Sequence, residues 1–352
     1  MALFGKKTHL VGLDIGSRTI KVAEVADTKS GYSLKNFGSI NITPGLIEEG
    51  ELQDPGAVAG FIRELYKSRG IKEQNVAISI GGYSVIVKKI SIQAMSEEEL
   101  NQAISHEAEQ YIPFDISEVN LDFQILGEAE SSAEQMNVLL VAAKKEMIAE
   151  YIELVQTAGL NPCIIDVDAF ALQNIFEINY DLPDEAVALI DIGAGKTSLN
   201  IVKGDSSLFM RDVSLGCNQI NEQIVSSLDC TDEEAEAIKI DKKQKKMSPG
   251  EYSEIISSVT TDWCEELRKA LDYYYSTDPE DSIQRIILSG GGAHISGLRE
   301  LLASELSIEV ENINPFGTID IESKKFEPSY LQHMAPQAAI SLGLALRRVD
   351  DK

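Results

Sequence analysis

Two aspartates, Asp14 and Asp191, each stand just before a glycine turn. That arrangement can hold a divalent cation and a phosphate chain. The second instance, "DIGAGKTS" (residues 191–198), ends as a P-loop ends, in Gly195-Lys196-Thr197. The P-loop signature GxxxxGK[ST] would also need glycine at residue 190, which is Ile190. A P-loop passes from strand into helix, whose N-terminus helps hold the phosphates. Here residues 186–192 read as a buried strand, and "TSLNIV" alternates polar and apolar like a second strand. The pattern predicts a β-hairpin instead. Its glycines let backbone N–H groups approach phosphate oxygens, and a carboxylate at the strand end can hold Mg²⁺ through water.

A single Asp-x-Gly hairpin carries little weight, but "LDIGSRTIKV" near the N-terminus repeats the device. Asp14 and Asp191 lie about half of the 352 residues apart, the spacing of two related α/β domains facing each other across a cleft. The first turn offers Gly16, Ser17, Arg18 and Thr19 to phosphate, and the second Gly193, Ala194, Gly195, Lys196 and Thr197. Lys21 and Lys196 are either phosphate contacts or surface lysines beside a turn. A third element joins a strand at 282–289 to a helix at 295–306 through Gly290, Gly291 and Gly292. It is not a dinucleotide fingerprint, because G-x-G-x-x-G needs glycine at Ile295. Three glycines do let a base and its ribose lie against the backbone.

The elements that must position these residues are those of a soluble α/β protein. Hydrophobic content of 43% and charged content of 25% are ordinary, whereas a formal charge of −26 is not. So acidic a surface repels phosphate backbones and anionic headgroups, which argues against direct binding to nucleic acid or membrane. The apolar run at 337–346 is half of the ~20 residues a membrane span needs, and the start of the chain does not read as a secretion signal. Cys163, Cys217, Cys230 and Cys264 show no CxxC spacing, as expected of a reduced cytoplasmic protein, and the four histidines form no metal-ligand pattern.

The three stretches, in this order, resemble the actin/Hsp70/sugar-kinase ATPase fold, where they are called phosphate 1, phosphate 2 and adenosine. "IDVDAFALQNIF" (165–176) and "APQAAISLGLALR" (335–347) resemble its two connector helices, and both carry small residues that let helices cross closely. Within the fold the chain is most similar to the PilM family of type IV pilus assembly proteins. "FGKKTHLVGLDIGSRTIKV", "HEAEQYIPFDISEVNLDFQIL", "VLLVAAKKEMIAEYIELVQTAGL" and "DVDAFALQNIF" carry that similarity. It implies ATP or ADP with Mg²⁺ in the cleft, Asp14 and Asp191 holding the ion through water, and an FtsA-type insert, 1C, in place of actin subdomain 1B. The insert is also legible directly as strand 85–92, helix 96–110, strands 119–127 and 136–143, and helix 144–158, with Ser96 and Glu99 as a capping box.

The resulting organisation is subdomain 1A at 1–84, 1C at 85–159, 1A again with the first connector at 160–183, 2A at 184–215, 2B at 216–281, 2A at 282–334, and the second connector at 335–352. In 2B, Ile255, Val259, Trp263, Leu267 and Leu271 at four-residue steps read as core. The run "KKQKK" (242–246) reads as a solvated loop. "EEAEAIKI" resembles the family's ribose- and adenine-facing element, with Glu236 and Lys239 as candidates; a salt bridge on a helix surface is the equal alternative.

The family's water-orienting Gln or Glu at the first connector is matched here only by Asp166 and Asp168. Asp166 is favoured, because Asp168 can serve as a helix cap. A short acid implies slow hydrolysis or binding alone. The partner implied is the cytoplasmic N-terminal tail of PilN, with other inner-membrane and motor components, at a site including Tyr111, Ile112, Pro113 and Phe114; the alternative is that this loop packs on its own subdomain. The expected location is cytoplasmic and peripheral at the inner membrane. A metabolite kinase or phosphatase of the superfamily and an FtsA-like division protein are the competing readings. The first lacks a substrate-binding motif, and the second lacks the terminal amphipathic helix.

Overall fold

The computed structural model describes residues 9–29, 31–129, 132–181, 185–240, 247–277, 282–322, 324–349 and 351. The basic run at 242–246 lies outside them. Two sheets repeat one plan. In the first, the order is Asn161–Val167, Asn75–Ile80, Val11–Ile15, Thr19–Thr28, Gly31–Asn41, with the short Ile319–Asp320 beyond it. In the second it is Glu309–Asn312, Ile283–Ser289, Ala186–Ile192, Thr197–Lys203, Ser206–Val213. In each, the Asp-bearing strand is central, with two antiparallel strands on one side and two parallel strands on the other. Val11–Ile15 is buried along its whole length, as is usual for a strand with parallel neighbours covered on both faces.

Between the sheets, helices Asp168–Asn179 and Pro328–Ala345 cross, sharing a core with Leu172, Phe176, Leu331 and Ala338. Their contact is set by small residues. A Cβ on Gly343 would stand 1.7 Å from the Ala171 carbonyl oxygen, so only glycine permits this approach. The second helix begins at Pro328, earlier than the expected residue 335, with proline at its first turn, where no amide hydrogen is required. Pro336 lies inside this helix, and its carbonyl accepts from the Gly290 amide and the Ser289 hydroxyl, each at 3.0 Å. The helix expected from residue 295 starts only at Leu298, because the chain first makes a 3₁₀ turn at Gly291–His294, closed by Ile295 N–H donating to the Gly292 carbonyl at 2.9 Å.

The insert between the first sheet's strands is a three-stranded sheet, in the order Val85–Gln93, Ser132–Lys144, Val119–Ala129, with helix Glu97–Ala108. Helix Lys145–Thr157, expected in the insert, instead packs Met147, Tyr151, Leu154 and Val155 into the core of the first domain. Ser96 and Glu99 form the capping box, the Ser96 amide donating to Glu99 Oε2 at 2.8 Å and the Glu99 amide to Ser96 Oγ at 3.3 Å. The insert has its own core around Ile90, Leu100, Ile104, Val138 and Leu140. On the other side of the molecule, helix Pro249–Thr277 buries Ile255, Val259, Trp263, Leu267 and Leu271, and the Trp263 indole N–H donates to Gln219 Oε1 at 2.6 Å. Among the described residues all four cysteines are unpaired, and no helix is long and apolar enough to cross a membrane.

Candidate functional site

The two Asp-bearing hairpins face each other across a cleft of roughly 720 Å³, within the range of small-molecule sites. Pairing register explains how each positions its groups. In the first, Asp14 lies opposite Lys21 and Ile15 opposite Ile20, leaving residues 16–19 as the loop. In the second, Asp191 lies opposite Ser198 and Ile192 opposite Thr197, leaving residues 193–196.

Asp14, Gly16, Ser17, Arg18, Thr19 and Lys21 line the cleft from one side, and Asp191, Gly193, Ala194, Gly195 and Lys196 from the other. Gly290 and Gly291 close one end, joined by Glu236 and Lys239. Gly290 has a left-handed φ of 81°, and a Cβ there would sit 2.4 Å from the Ile192 carbonyl oxygen. Glycine at this position therefore brings the third turn directly against the second hairpin. Two predicted contacts point elsewhere. Thr197 is buried, its hydroxyl donating to the Leu215 carbonyl at 2.7 Å, and Gly292 packs on the Ile192 side chain.

The lysines are not idle surface groups. Lys21 Nζ pairs with Asp14 Oδ2 at 3.1 Å. Burial raises the Asp14 pKa, and Lys21 opposes that rise. Lys196 Nζ reaches Asp168 Oδ2 at 2.7 Å and Asp212 Oδ2 at 3.1 Å. Burial works against the Lys196 charge, yet Asp168 and Asp212 outweigh it and hold the ammonium above the ordinary lysine range. Burial likewise works against the Asp168 charge, but Lys196 and the Ser79 hydroxyl, donating at 2.6 Å, keep its carboxyl below the ordinary range. Among the described residues no cation is paired with Asp191 at salt-bridge distance, although the charge of Lys21 acts on it. Burial pushes it up to about 6, against its contact with the Ser289 side chain and the charge of Lys21, with the charges of Asp14 and Asp168 adding to the rise.

Arg18 leaves its loop and crosses the cleft, its Nε donating to Asn218 Oδ1 at 3.2 Å and its guanidinium pairing with Asp232. Glu236 and Lys239 pair at 2.7 Å, and the Asn221 amide donates to Glu236 at 2.7 Å. The pair is a salt bridge on its helix, and that helix face lines the cleft.

The choice between the two connector acids is corrected. Asp166 lies on strand Asn161–Val167, buried, with Oδ2 accepting from Arg347 Nη1 at 3.0 Å and Oδ1 from the Val167 amide at 2.8 Å; it does not line the cleft. Asp168 does. The chain turns from strand to helix at Val167, so the two acids part company. Asp168 makes no capping bond and is free to face the cleft.

At the expected partner loop, Ile112 is buried in the insert's own core and Tyr111 and Phe114 pack half-buried against it. Lys88 lies over the Tyr111 ring at 5.2 Å and Lys144 over the Phe114 ring at 4.8 Å. Pro113 is exposed. The loop thus packs on its own subdomain, and the outer faces of Tyr111 and Phe114 remain accessible.

Asp212 and Ser79 are cleft groups that motif reasoning missed. Asp212 had a signal: it is the next-to-last residue of the strand after the hairpin, and register sets it opposite Ser198, in the same transverse row as Asp191. Its Oδ1 is buried without a hydrogen-bond partner among the described residues. No group of three or more metal-ligating side chains occurs among them either. Two facing carboxylates and an orphaned acceptor suit an ion held largely by water and phosphate, as Mg²⁺ is.

Residues 12–349 match the family described as type IV pilus assembly protein PilM. The chain is similar to a chain of the PilM-PilN type IV pilus biogenesis complex, at 32% identity and a TM-score of 0.88, covering 98% of this chain and 100% of that one. It shares its fold with ethanolamine utilization protein EutJ from Carboxydothermus hydrogenoformans (17% identity, TM-score 0.59, covering 96% and 89%). It also shares it with ADP-bound MreB5 of Spiroplasma citri (13%, 0.51, covering 94% and 99%). The duplicated sheets around one cleft are therefore an actin-like ATPase fold, and the chain belongs to the PilM family of type IV pilus assembly proteins.

Proposed function

We propose that this protein is an ATP-binding, actin-like scaffold of the pilus inner-membrane platform, with an FtsA-type insert, that docks the cytoplasmic N-terminal tail of PilN and links it to the pilus machinery. The observation that carries the nucleotide reading is the pair of glycine loops facing each other across one cleft, each beginning just after a strand-end carboxylate. Asp14 and Asp191 hold Mg²⁺ through water, and the ion neutralises phosphate charge. The amides of residues 16–19 and 194–196 receive the phosphates, Gly290 and Gly291 the adenosine, and Glu236 with Lys239 the ribose side. The nucleotide carried by the ADP-bound relative of the same fold supports this. Asp168, held by Ser79 and Lys196, stands where the family orients water; a short carboxylate already paired with an ammonium makes hydrolysis slow.

The partner reading rests on the similarity to a chain of the PilM-PilN complex. A net charge of −26 suits the basic juxtamembrane tail of an inner-membrane protein, and this supports a cytoplasmic scaffold held at the membrane through its partners. The tail lies between the first domain and the insert, with the outer faces of Tyr111 and Phe114 as one wall. Titrating a synthetic PilN tail peptide in a calorimeter tests this. Wild type binds with micromolar affinity, about −8 kcal/mol, and a folded Phe114→Asp variant binds measurably more weakly. No heat with wild type rejects the partner, and equal binding to both rejects the site.

A further inference from the structure

Asp212 has bonds in two directions that the nucleotide reading does not use. Its Oδ2 accepts from Lys196 Nζ at 3.1 Å and from the backbone amide of Gly82 at 2.5 Å. Lys196 belongs to the second hairpin loop. Gly82 belongs to the first domain, between strand Asn75–Ile80 and strand Val85–Gln93, where the chain leaves the first sheet to build the insert. That short segment is the insert's root. Val85 N–H donates to the Gly82 carbonyl at 3.0 Å, and Lys144 N–H, on the returning strand, donates to the Ser84 carbonyl at 3.0 Å. The same strand as Asp212 also presses Met210 against the cluster that contains Val85, Val87 and Leu139.

We propose that Asp212 is a positioning residue that couples the phosphate end of the cleft to the insert root, so that a bound nucleotide loosens the insert's hold on the second domain. The inference rests on the cleft being a nucleotide site. Lys196 is one ammonium shared by a carboxylate of the first domain, Asp168, and one of the second, Asp212. A triphosphate between the two loops competes for that ammonium. As Lys196 turns to the phosphate, Asp212 loses its cation and meets a new negative charge. Its other oxygen, Oδ1, already lacks a hydrogen-bond partner among the described residues, and the side chain is only 10% exposed. A buried carboxylate in that position turns away, and the Gly82 amide loses its acceptor. A ligand shifts such an equilibrium only through contacts that differ between the two states, and the Lys196–Asp212 pair is that contact.

Hydrogen exchange at residues 80–86 tests this, with and without saturating Mg-ATP, for wild type, Asp212→Ala and Asp212→Asn. Melting curves check the fold of each, and calorimetry checks saturation. In wild type, nucleotide accelerates exchange at the root about threefold or more. Asp212→Ala exchanges fast with or without nucleotide. Asp212→Asn keeps an acceptor for the Gly82 amide but no charge, so its root stays slow and does not respond; a merely structural Asp212 would leave this variant responding like wild type. If Asp212→Ala fails to fold, Asp212→Asn decides alone. Saturating binding with no acceleration in wild type, or with the same acceleration in Asp212→Asn, overturns the coupling and leaves the nucleotide reading intact. Absence of any binding heat in wild type overturns both.

Discussion

Across the mouth of the first hairpin, cross-strand register lines up Asp14, Lys21 and Ser39; across the second it lines up Asp191, Ser198 and Asp212. The backbone plan is the same, but the cation sits elsewhere. Lys21 is on a strand, directly opposite its aspartate, and folds onto it. In the second hairpin that position is a serine, and the lysine has moved into the loop, which has the same length in both hairpins, and from there it reaches an acid in the other domain. Arg18, the cation of the first loop, also leaves its own domain, for Asn218 and Asp232. A cation on the strand neutralises its own hairpin, whereas a cation in the loop ties the two halves together. Among the described residues Asp14 has a paired cation and Asp191 has none, feeling Lys21 only at longer range.

Removing the two aspartates should expose that difference most strongly. Asp191→Ala lowers Mg-ATP affinity about a hundredfold, the upper end for a group acting on a metal through an intervening water. Asp14→Ala costs about tenfold or less, because it also frees Lys21 for the phosphates. Calorimetry compares the two, and equal losses would break the asymmetry.

The lysines separate in stability. Lys196→Met leaves Asp168 and Asp212 without a cation and costs about 2–3 kcal/mol, less than a fully buried pair because Lys196 is one-third exposed. Lys21→Met leaves one carboxylate and costs about 1–2 kcal/mol. Denaturant titration without nucleotide measures both.

Acidity sharpens the comparison further. Burial raises Asp191 to about 6, so its ionised form is disfavoured in the fold. The proton-bound form is what folding favours, and that contribution is present at low pH and lost as pH rises toward 6. Holding Mg²⁺ requires the opposite, ionised form. Mg-ATP affinity should therefore fall about tenfold between pH 7.5 and pH 5, and Asp191→Asn should flatten that dependence. The smallest effect belongs to Arg18→Gln, whose partners are partly solvated; nucleotide affinity falls about two- to fivefold.

Much of this was legible in the chain because both hairpins are local. Strand, glycine turn and strand are specified within about a dozen consecutive residues, and the repeat at half the chain length disclosed the duplication. The core role of Trp263 followed from spacing on a single helix. What escaped depends on contacts between distant segments. Asp166 and Asp168 differ by two positions, and only the strand-to-helix turn at Val167, with Arg347 arriving from the far end of the chain, sends one inward and the other to the cleft. Asp212 belongs to no motif, and its meeting with Gly82 spans 130 residues. For the loop at 111–114 the sequence left docking and self-packing both open, because its partners, Lys88, Lys144 and the insert core, are brought to it by sheet pairing.

The central claim, that the two facing hairpins make one nucleotide site, is tested most directly by a crystal soaked with ATP and Mg²⁺. The account predicts a phosphate chain between residues 14–21 and 193–197, the ion joined to Asp14 and Asp191 through water, the adenosine against Gly290 and Gly291, and Lys196 turned from Asp168 toward phosphate. A soaked crystal with the cleft empty, or with nucleotide elsewhere and the Lys196–Asp168 pair intact, would contradict it.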